Sequence, residues 1–216
     1  MAEIVPTILT ADFSEYIKKM QGLKGVCPRV QVDIIDGKFV GNQTISLESL
    51  KNEPTDLRMD LHLMVKEPEE WVNRALEILP DRLIGQVEMM YEPQKFINRA
   101  TNGGFEVGIA LDLETPVESV PEEIYHMVDL VLLLSVKAGF SGQEFDEKVL
   151  EKIEKIKKIV GDLVGIGVDG GLTDEKIKLC QKKGANIFNV GSTFWEAEDL
   201  GLRYNELLKL ISEDRQ

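Results

Sequence analysis

The sequence predicts an α/β protein of the (β/α)8 TIM-barrel class. Eight short apolar runs typical of strands alternate with helical patterns along the chain. This alternation favours parallel strands joined by crossover helices, and 216 residues are enough for eight short units. A doubly wound open sheet is the alternative, but its Gly-x-Gly-x-x-Gly fingerprint is missing after the first strand. We therefore expect residues 1–216 to form one barrel domain.

Each predicted strand is a short apolar run followed by a turn or a helical stretch. In the second run, Gln31 and Asp33 share one face, because side chains alternate along an extended backbone. The apolar Val30, Val32 and Ile34 share the other face, so a carboxylate lies near the end of this strand. The predicted strands are Glu3–Leu9, Arg29–Ile34, Leu57–Met64, Leu83–Met89, Glu106–Leu111, Val128–Val136, Leu163–Val168 and Asn186–Val190.

Several connecting helices have clear boundary signals. Pro68 is suited to a first helical turn, and Thr173 is an N-cap residue. Gly184 is typical of the residue that ends a helix in a left-handed conformation. Apolar residues repeat with helical spacing between Val149 and Ile159. The best-marked helices are predicted at Pro68–Ile78, Phe145–Val160, Thr173–Lys183 and Leu200–Ile211.

Composition narrows the possible functions. A net charge of −13 argues against nucleic-acid binding, which needs a basic surface, but not against a small phosphate ester held by backbone N–H groups. No apolar run is long enough for a membrane span, and residues 1–10 lack the pattern of a signal peptide. Cys27 and Cys180 are isolated and lack metal-ligand spacing. We expect a cytoplasmic protein with reduced cysteines and no membrane or nucleic-acid partner.

Polar residues recur where the predicted strands end, which in a barrel is the side of the active site. His62 and Asp169 stand out because their surroundings are apolar, although each residue alone also fits a structural role in a turn or core. Glycine-rich turns follow the sixth, seventh and eighth strands, as in barrels that bind phosphate. The polar residues at strand ends are Thr7, Thr10, Asp33, His62, Glu88, Asp112, Ser135, Asp169 and Ser192.

Six segments, in the same order along almost the whole chain, resemble the ribulose-phosphate 3-epimerase family. They are PTILTADF at 6–13, VQVDIIDGKFVGNQTI at 30–45, DLHLMV at 60–65, VDLVLLLSVKAGFSGQ at 128–143, VDGG at 168–171 and VGS at 190–192. The resemblance implies a ribulose-phosphate-binding TIM barrel that interconverts D-ribulose 5-phosphate and D-xylulose 5-phosphate. It also implies a divalent metal ion (zinc, iron, manganese or magnesium) and a homo-oligomer.

The same resemblance implies roles for individual residues. Asp33 matches the proton acceptor and Asp169 the opposing proton donor; both match metal ligands, as does His62, which also contacts substrate. Inversion at carbon 3 needs proton removal from one face and proton delivery to the other, so two carboxyl groups suit the reaction. The substrate and phosphate contacts match Thr7, Gly139, Phe140, Ser141, Gly142, Gly170, Gly171, Gly191 and Ser192.

One departure affects the metal site directly. The family pattern V-H-x-D-x-M-D-G has its first metal-binding histidine where this chain has Gln31, and a second common histidine is replaced by Gln86. An amide oxygen is a poorer ligand than imidazole for zinc or iron and suits manganese or magnesium better. We therefore expect weaker metal binding or a changed metal preference if Gln31 is a ligand.

Three functions are compatible with these features. The first is a metal-assisted epimerase acting on a phosphorylated ketose, and it is favoured by Asp33, His62 and Asp169. The second is a non-catalytic sugar-phosphate-binding barrel that has lost its metal, as Gln31 and Gln86 would allow. The third is another phosphate-binding barrel enzyme such as a decarboxylase, which is disfavoured because the chain shows no paired Lys and Asp arrangement.

Overall fold

Eight parallel strands close into a barrel in sequence order, with the last strand paired to the first. This architecture, seen in a computed structural model that describes residues 2–212, confirms the predicted fold class. The predicted domain of residues 1–216 includes Met1 and residues 213–216, which lie outside the described residues. The strands are β1 (Glu3–Ile8), β2 (Arg29–Ile35), β3 (Arg58–Met64), β4 (Arg82–Gln86), β5 (Glu106–Leu111), β6 (Leu130–Leu134), β7 (Gly165–Asp169) and β8 (Ile187–Val190).

Helices pack around the outside of the barrel. The connection between β2 and β3 is a 3-10 helix (Leu47–Asn52), and that between β5 and β6 has only a short α-helix, α4. A short helix, α7, begins directly after β8 and is followed by a longer final helix. The α-helices are α1 (Phe13–Leu23), α2 (Pro68–Ala75), α3 (Pro93–Asn102), α4 (Glu122–Tyr125), α5 (Lys148–Val160), α6 (Asp174–Lys183), α7 (Ser192–Trp195) and α8 (Leu200–Ser212).

The structure confirms the predicted boundary signals but changes the ends of several elements. Helix α2 ends at Ala75, before the predicted end at Ile78, and β6 covers only Leu130–Leu134 of the predicted Val128–Val136. The Thr173 hydroxyl accepts a hydrogen bond from the Lys176 N–H, and Gly184 adopts a left-handed conformation with φ of 114°. The fourth strand ends at Gln86, because residues 87–89 form a 3-10 turn instead of continuing the strand. Helix α5 begins at Lys148, so residues 145–147, which were predicted to be helical, precede it.

Alternation along the strands divides the core into two parts. Val30, Val32 and Ile34 of β2 share one face, as predicted, and this face points outward into the layer between strands and helices. Gln31 and Asp33 therefore point into the barrel, where both are buried. A separate cluster of buried apolar side chains packs in the barrel interior, as is usual for this fold. Its members are Val5, Ile84, Ala110, Leu130, Leu132 and Ile187.

Charged residues at the amino-terminal ends of β2 to β5 pair with one another. Arg82 Nη1 donates to Asp60 Oδ2 at 3.1 Å, and Arg82 Nη2 donates to Glu106 Oε2 at 2.7 Å. Arg29 also donates to Asp60, whose side chain is 1% exposed. These ionic partners account for the buried charges at this end of the barrel. The polar residues at the carboxyl-terminal end of the barrel, in contrast, border a cavity.

Candidate active site

An open cavity of about 600 Å³ lies at the carboxyl-terminal end of the barrel. The loops after β1, β6, β7 and β8 form much of its wall, which is the usual location of chemistry in this fold. The structure brings twelve of the thirteen candidate residues to the cavity wall; Gln31 lies buried beneath it. The twelve are Thr7, Asp33, His62, Gly139, Phe140, Ser141, Gly142, Asp169, Gly170, Gly171, Gly191 and Ser192.

Three of these residues form a cluster with the chemistry of a metal site. Asp33 from β2, His62 from β3 and Asp169 from β7 each offer one ligand atom, and these atoms lie within 4.8 Å of one another. Asp33 and His62 are directly paired in the register of β2 and β3, so the two side chains lie side by side. The set of two carboxylates and one imidazole suits a divalent ion.

His62 is held from both sides of its ring. Nδ1 lies 3.2 Å from Asp33 Oδ1, and Nε2 lies 3.2 Å from Gln86 Oε1. An amide oxygen only accepts hydrogen bonds, so Nε2 carries a proton. Burial opposes a charged imidazole, but hydrogen bonding to Asp33 and the charges of Asp33 and Asp169 outweigh it and raise the pKa of His62. An ion at Nδ1 would replace a proton there while Nε2 still donates to Gln86.

Asp169 has an environment that favours its protonated form. Burial raises the pKa of its carboxyl group, and the nearby negative charge of Asp33 raises it further. The charge of His62 and a hydrogen bond from Gln31 act in the opposite direction. A carboxyl group with a raised pKa beside a second carboxylate is suited to exchanging a proton near neutral pH.

The side-chain amide of Gln31 connects the two carboxylates. Its Nε2 donates to Asp33 Oδ1 at 2.9 Å and to Asp169 Oδ2 at 2.7 Å. Its Oε1 accepts a hydrogen bond from Asn189 Nδ2 at 2.6 Å. In this orientation Gln31 presents N–H groups to the carboxylates, so the oxygen expected as a metal ligand points away from them. Asp33, His62 and Asp169 can offer ligand atoms to a divalent ion in their present orientations. Gln31 could offer its oxygen only if its side-chain amide were reversed.

Asn189 was not singled out by the sequence analysis. It lies in β8 between Phe188 and Val190, in a run read simply as a strand. Its partner from β2 is 158 residues away in the sequence. The available signal was a polar residue at an inward-facing position of a strand, which a closed barrel would bring toward Gln31.

The other polar strand ends have structural partners. Glu88 Oε1 accepts a hydrogen bond from the Asp112 N–H at 2.8 Å, and Asp112 Oδ1 accepts one from the Ala138 N–H at 3.1 Å. The Ser135 hydroxyl donates to the carbonyl oxygens of Asp169 and Gly170. These contacts hold the loops after β6 and β7, which border the cavity.

Glycine is required in the loop after β7. Gly171 has φ of 57°, and a Cβ atom there would lie 2.5 Å from the backbone nitrogen of Phe145. Only glycine allows this close approach without moving the neighbouring chain. The loops after β2 and β6 also touch, because Asn42 Nδ2 donates to the Gly139 carbonyl at 2.6 Å. Backbone of the loops after β6 and β7 therefore forms part of the cavity wall.

The fold and the cluster together define a TIM barrel with a candidate metal centre and two neighbouring carboxylates at its active-site end. The ribulose-phosphate 3 epimerase family model matches residues 3–195. The chain belongs to the ribulose-phosphate 3-epimerase family.

Two relatives illustrate the match. Ribulose-phosphate 3-epimerase of Bacillus subtilis strain 168 is 33% identical over 208 residues, which cover 92% of this chain and 94% of the relative. The chloroplastic ribulose-5-phosphate-3-epimerase of Arabidopsis thaliana is 32% identical, covering 99% of this chain and 77% of the relative.

Solved structures of other enzymes share the fold. A mutant tryptophan synthase alpha-subunit from Pyrococcus furiosus has a TM-score of 0.69 at 13% identity and covers 98% of each chain. Orotidine 5'-phosphate decarboxylase from Pyrococcus horikoshii OT3 has a TM-score of 0.67 at 14% identity, covering 97% of this chain and 99% of that one. At these identities the likeness concerns the barrel architecture alone.

Proposed function

We propose that the protein is a ribulose-phosphate 3-epimerase that interconverts D-ribulose 5-phosphate and D-xylulose 5-phosphate. The observation that carries the proposal is the convergence of Asp33, His62 and Asp169 at one wall of the cavity. Family membership supplies the reaction, and these three side chains supply the functional groups that the reaction needs.

In the proposed mechanism, Asp33 and Asp169 act as the acid/base pair. For D-ribulose 5-phosphate, Asp33 accepts the proton from carbon 3, and the electron pair of the broken C–H bond is delocalised into the adjacent carbonyl to form an enediolate. Asp169 then donates a proton to the opposite face of carbon 3, and the electron pair returns to form the new C–H bond. The two residues exchange roles in the reverse direction. The assignment of Asp169 as the donor follows the family resemblance, and its position beside Asp33 in the cluster is consistent with it.

Asp33, His62 and Asp169 would hold the divalent ion that the family uses. When bound, the ion supplies positive charge that stabilises the negative charge of the intermediate. His62 is kept in place by Gln86, so its Nδ1 stays directed toward the carboxylates. We propose manganese or magnesium in preference to zinc or iron, because Gln31 offers at most an amide oxygen.

The phosphate group is proposed to bind the loops after β6, β7 and β8. Backbone N–H groups of glycine-rich turns can hold a phosphate without a lysine. The proposed contacts are made by Gly139 to Gly142, Gly170, Gly171, Gly191 and Ser192, all of which line the cavity. Thr7, His62 and Phe140 border the same space and are proposed substrate contacts.

Proton NMR of D-ribulose 5-phosphate tests this function. Metal-stripped protein should leave the sugar unchanged, and addition of manganese, magnesium, zinc or iron(II) should restore formation of D-xylulose 5-phosphate. The Asp162→Asn variant should convert the sugar as the unmodified chain does, because the Asp162 side chain is 96% exposed outside the cavity. It is the matched control for the same substitution at Asp33 or Asp169. No conversion with any of these ions by folded protein would contradict the proposal and favour a binding barrel.

Location and assembly require separate tests. Every helix within residues 2–212 is too short or too polar to span a bilayer. A cytoplasmic location stays a prediction. Assembly into a homo-oligomer also stays a prediction, which light scattering of the purified protein would check.

A further inference from the structure

A buried chain of two side-chain amides ends at the proposed acid/base pair. Asn189 Nδ2 donates to Gln31 Oε1, and Gln31 Nε2 donates to both Asp33 and Asp169. Gln31 is 0% exposed and Asn189 is 2% exposed. All hydrogen bonds of the Gln31 amide in this orientation are therefore made inside the protein.

In this orientation the Gln31 amide directs partial positive charge at the two carboxylates, as a bound cation would. Its two N–H groups neutralise part of the repulsion between carboxylates that would otherwise face each other. When both carboxyl groups are ionised, reversing the amide alone would direct its oxygen at two negative charges, which is unfavourable without a positive charge between them. A divalent ion held by Asp33, His62 and Asp169 would supply that charge. The reversed amide would then offer Oε1 as a further ligand.

Gln31 cannot reverse without Asn189. If only Gln31 turned, its Nε2 would face Asn189 Nδ2, and two buried N–H donors would oppose each other. If both amides turn, Gln31 Nε2 donates to Asn189 Oδ1, and the bond between the two side chains is kept.

Asn189 favours neither orientation strongly. Its Oδ1 is buried and has no hydrogen-bond partner among the described residues. Turning the Asn189 amide places an N–H group in that position and moves the oxygen to face Gln31. One unpartnered atom replaces another, so the orientation of Asn189 follows that of Gln31.

We propose that Gln31 and Asn189 form a coupled amide pair whose orientation is set by divalent-metal occupancy. Without metal, Gln31 donates to the two carboxylates; with metal, both amides are reversed and Gln31 Oε1 is a ligand. Asn189 is thus a positioning residue for the metal site. The inference rests on the proposed metal-assisted function, but metal binding and amide orientation can be measured without substrate.

Side-chain amide NMR tests the proposal on the unmodified chain. Protein labelled with ¹⁵N is titrated with Mg²⁺ or Zn²⁺, and the amide signals are assigned by their loss in the Gln31→His and Asn189→Leu variants. The expected result is a joint shift of the Gln31 and Asn189 signals that saturates at one ion per chain. A bound ion that leaves either signal unchanged would overturn the proposal, and so would failure to bind either ion.

A double-mutant cycle tests the coupling by affinity. Free Mn²⁺ is measured by electron paramagnetic resonance with the unmodified chain, Asn189→Asp, Gln31→His and the double variant. A carboxylate at position 189 only accepts hydrogen bonds, so it should turn the Gln31 oxygen toward the site before metal binds. Asn189→Asp should raise Mn²⁺ affinity about tenfold or more with Gln31 present, but only about threefold or less in the Gln31→His background.

Comparing the Asn189→Asp substitution in the unmodified and Gln31→His backgrounds separates the effect of amide orientation on Mn²⁺ affinity from the effect of added negative charge. An added carboxylate attracts Mn²⁺ in both backgrounds, whereas only Gln31 has an amide that can reverse. Equal increases in the two backgrounds would overturn the coupling. Circular dichroism confirms folding of each variant, and the NMR titration decides the question if a variant is unfolded. Failure of epimerisation alone would contradict the proposed function and leave these binding results intact.

Discussion

His62 Nε2 lies 3.2 Å from Gln86 Oε1, in the buried interior next to the cavity. Gln86 is the last residue of β4, the strand that pairs with β3 and carries no carboxylate to the cluster. Its side chain is 0% exposed, and its oxygen fixes the proton of His62 on Nε2. The opposite nitrogen, Nδ1, is thereby directed toward Asp33. Gln86 thus acts on the cluster through the orientation of His62.

Gln86→Leu should weaken metal binding about 10- to 100-fold, because hydrogen-bond partners of ligating histidines typically contribute that much. Mn²⁺ affinity measured by electron paramagnetic resonance checks the change. Gln86→Glu is the matched variant: its side chain keeps an acceptor for Nε2–H and adds a negative charge, so Mn²⁺ binding should be retained or strengthened. Equal losses in both variants would show that packing, and not the hydrogen bond, is responsible.

Gly171→Ala should damage both stability and the phosphate side of the cavity. The new Cβ would lie 2.5 Å from Phe145 N and 2.9 Å from the Gln143 carbonyl oxygen, at a residue with φ of 57°. We expect a loss of about 3 kcal/mol in the free energy of unfolding and weaker competition by inorganic phosphate. Urea unfolding and inhibition assays measure these effects.

Gly104→Ala is the control for backbone strain. Gly104 has φ of 87°, but nothing lies within 4 Å of its Cβ position. It lies outside the cavity. The expected loss is about 1 kcal/mol, the cost of a left-handed alanine, with unchanged phosphate inhibition. If the Gly171→Ala variant were as stable as the Gly104→Ala variant, the predicted steric clash of a Cβ atom at position 171 would be contradicted.

Lys152 should make stability depend on pH in the alkaline range. Burial beneath the loop after β5 lowers the pKa of Lys152 to about 8, below the 10.5 of an exposed lysine. Between these values the unfolded chain binds more protons than the folded chain, so the contribution of Lys152 to stability rises with pH. Relative to Lys152→Met, the unmodified chain should gain about 3 kcal/mol between pH 7 and 10.5.

Urea unfolding of both proteins across this range measures the difference. Lys158→Met is the control, because Lys158 lies on the same helix but is exposed. Its difference from the unmodified chain is the baseline with which the Lys152→Met difference is compared at each pH. A flat difference for Lys152→Met would show that the Lys152 ammonium group is not destabilised by burial.

Local sequence patterns were sufficient to predict the barrel, and motif resemblance named the candidate residues, of which twelve lie at the cavity wall. All eight strands occur in the predicted order, because each apolar run is bounded by turn residues. The end of β4 was placed too late, since Val87 continues the apolar pattern while its backbone enters a 3-10 turn. Apolar periodicity alone does not distinguish these two conformations.

The contacts of Gln31 could not be predicted in the same way. Its role depends on Asp169 and Asn189, which lie 138 and 158 residues away. Which of the two amide atoms faces the carboxylates is decided by hydrogen bonds across three strands, and no local pattern encodes it. Motif resemblance predicted Gln31 as a metal ligand, whereas only the packed barrel shows which of its atoms face Asp33 and Asp169.

The acid/base roles of Asp33 and Asp169 are tested most directly by deuterium exchange at carbon 3. The Asp33→Asn and Asp169→Asn variants are each loaded with manganese for this measurement. Each variant retains one proton-transfer group, so both should lose epimerisation by at least about 100-fold. Each manganese-loaded variant is incubated with one sugar phosphate in deuterium oxide, and the sugar phosphate is then separated from the protein. Mass spectrometry of the isolated sugar phosphate measures exchange at carbon 3. Asp169→Asn should exchange the carbon 3 proton of D-ribulose 5-phosphate but not that of D-xylulose 5-phosphate, and Asp33→Asn should show the reverse selectivity. Exchange of both sugars by either variant, or full epimerisation by either, would contradict an acid/base pair acting on opposite faces of carbon 3.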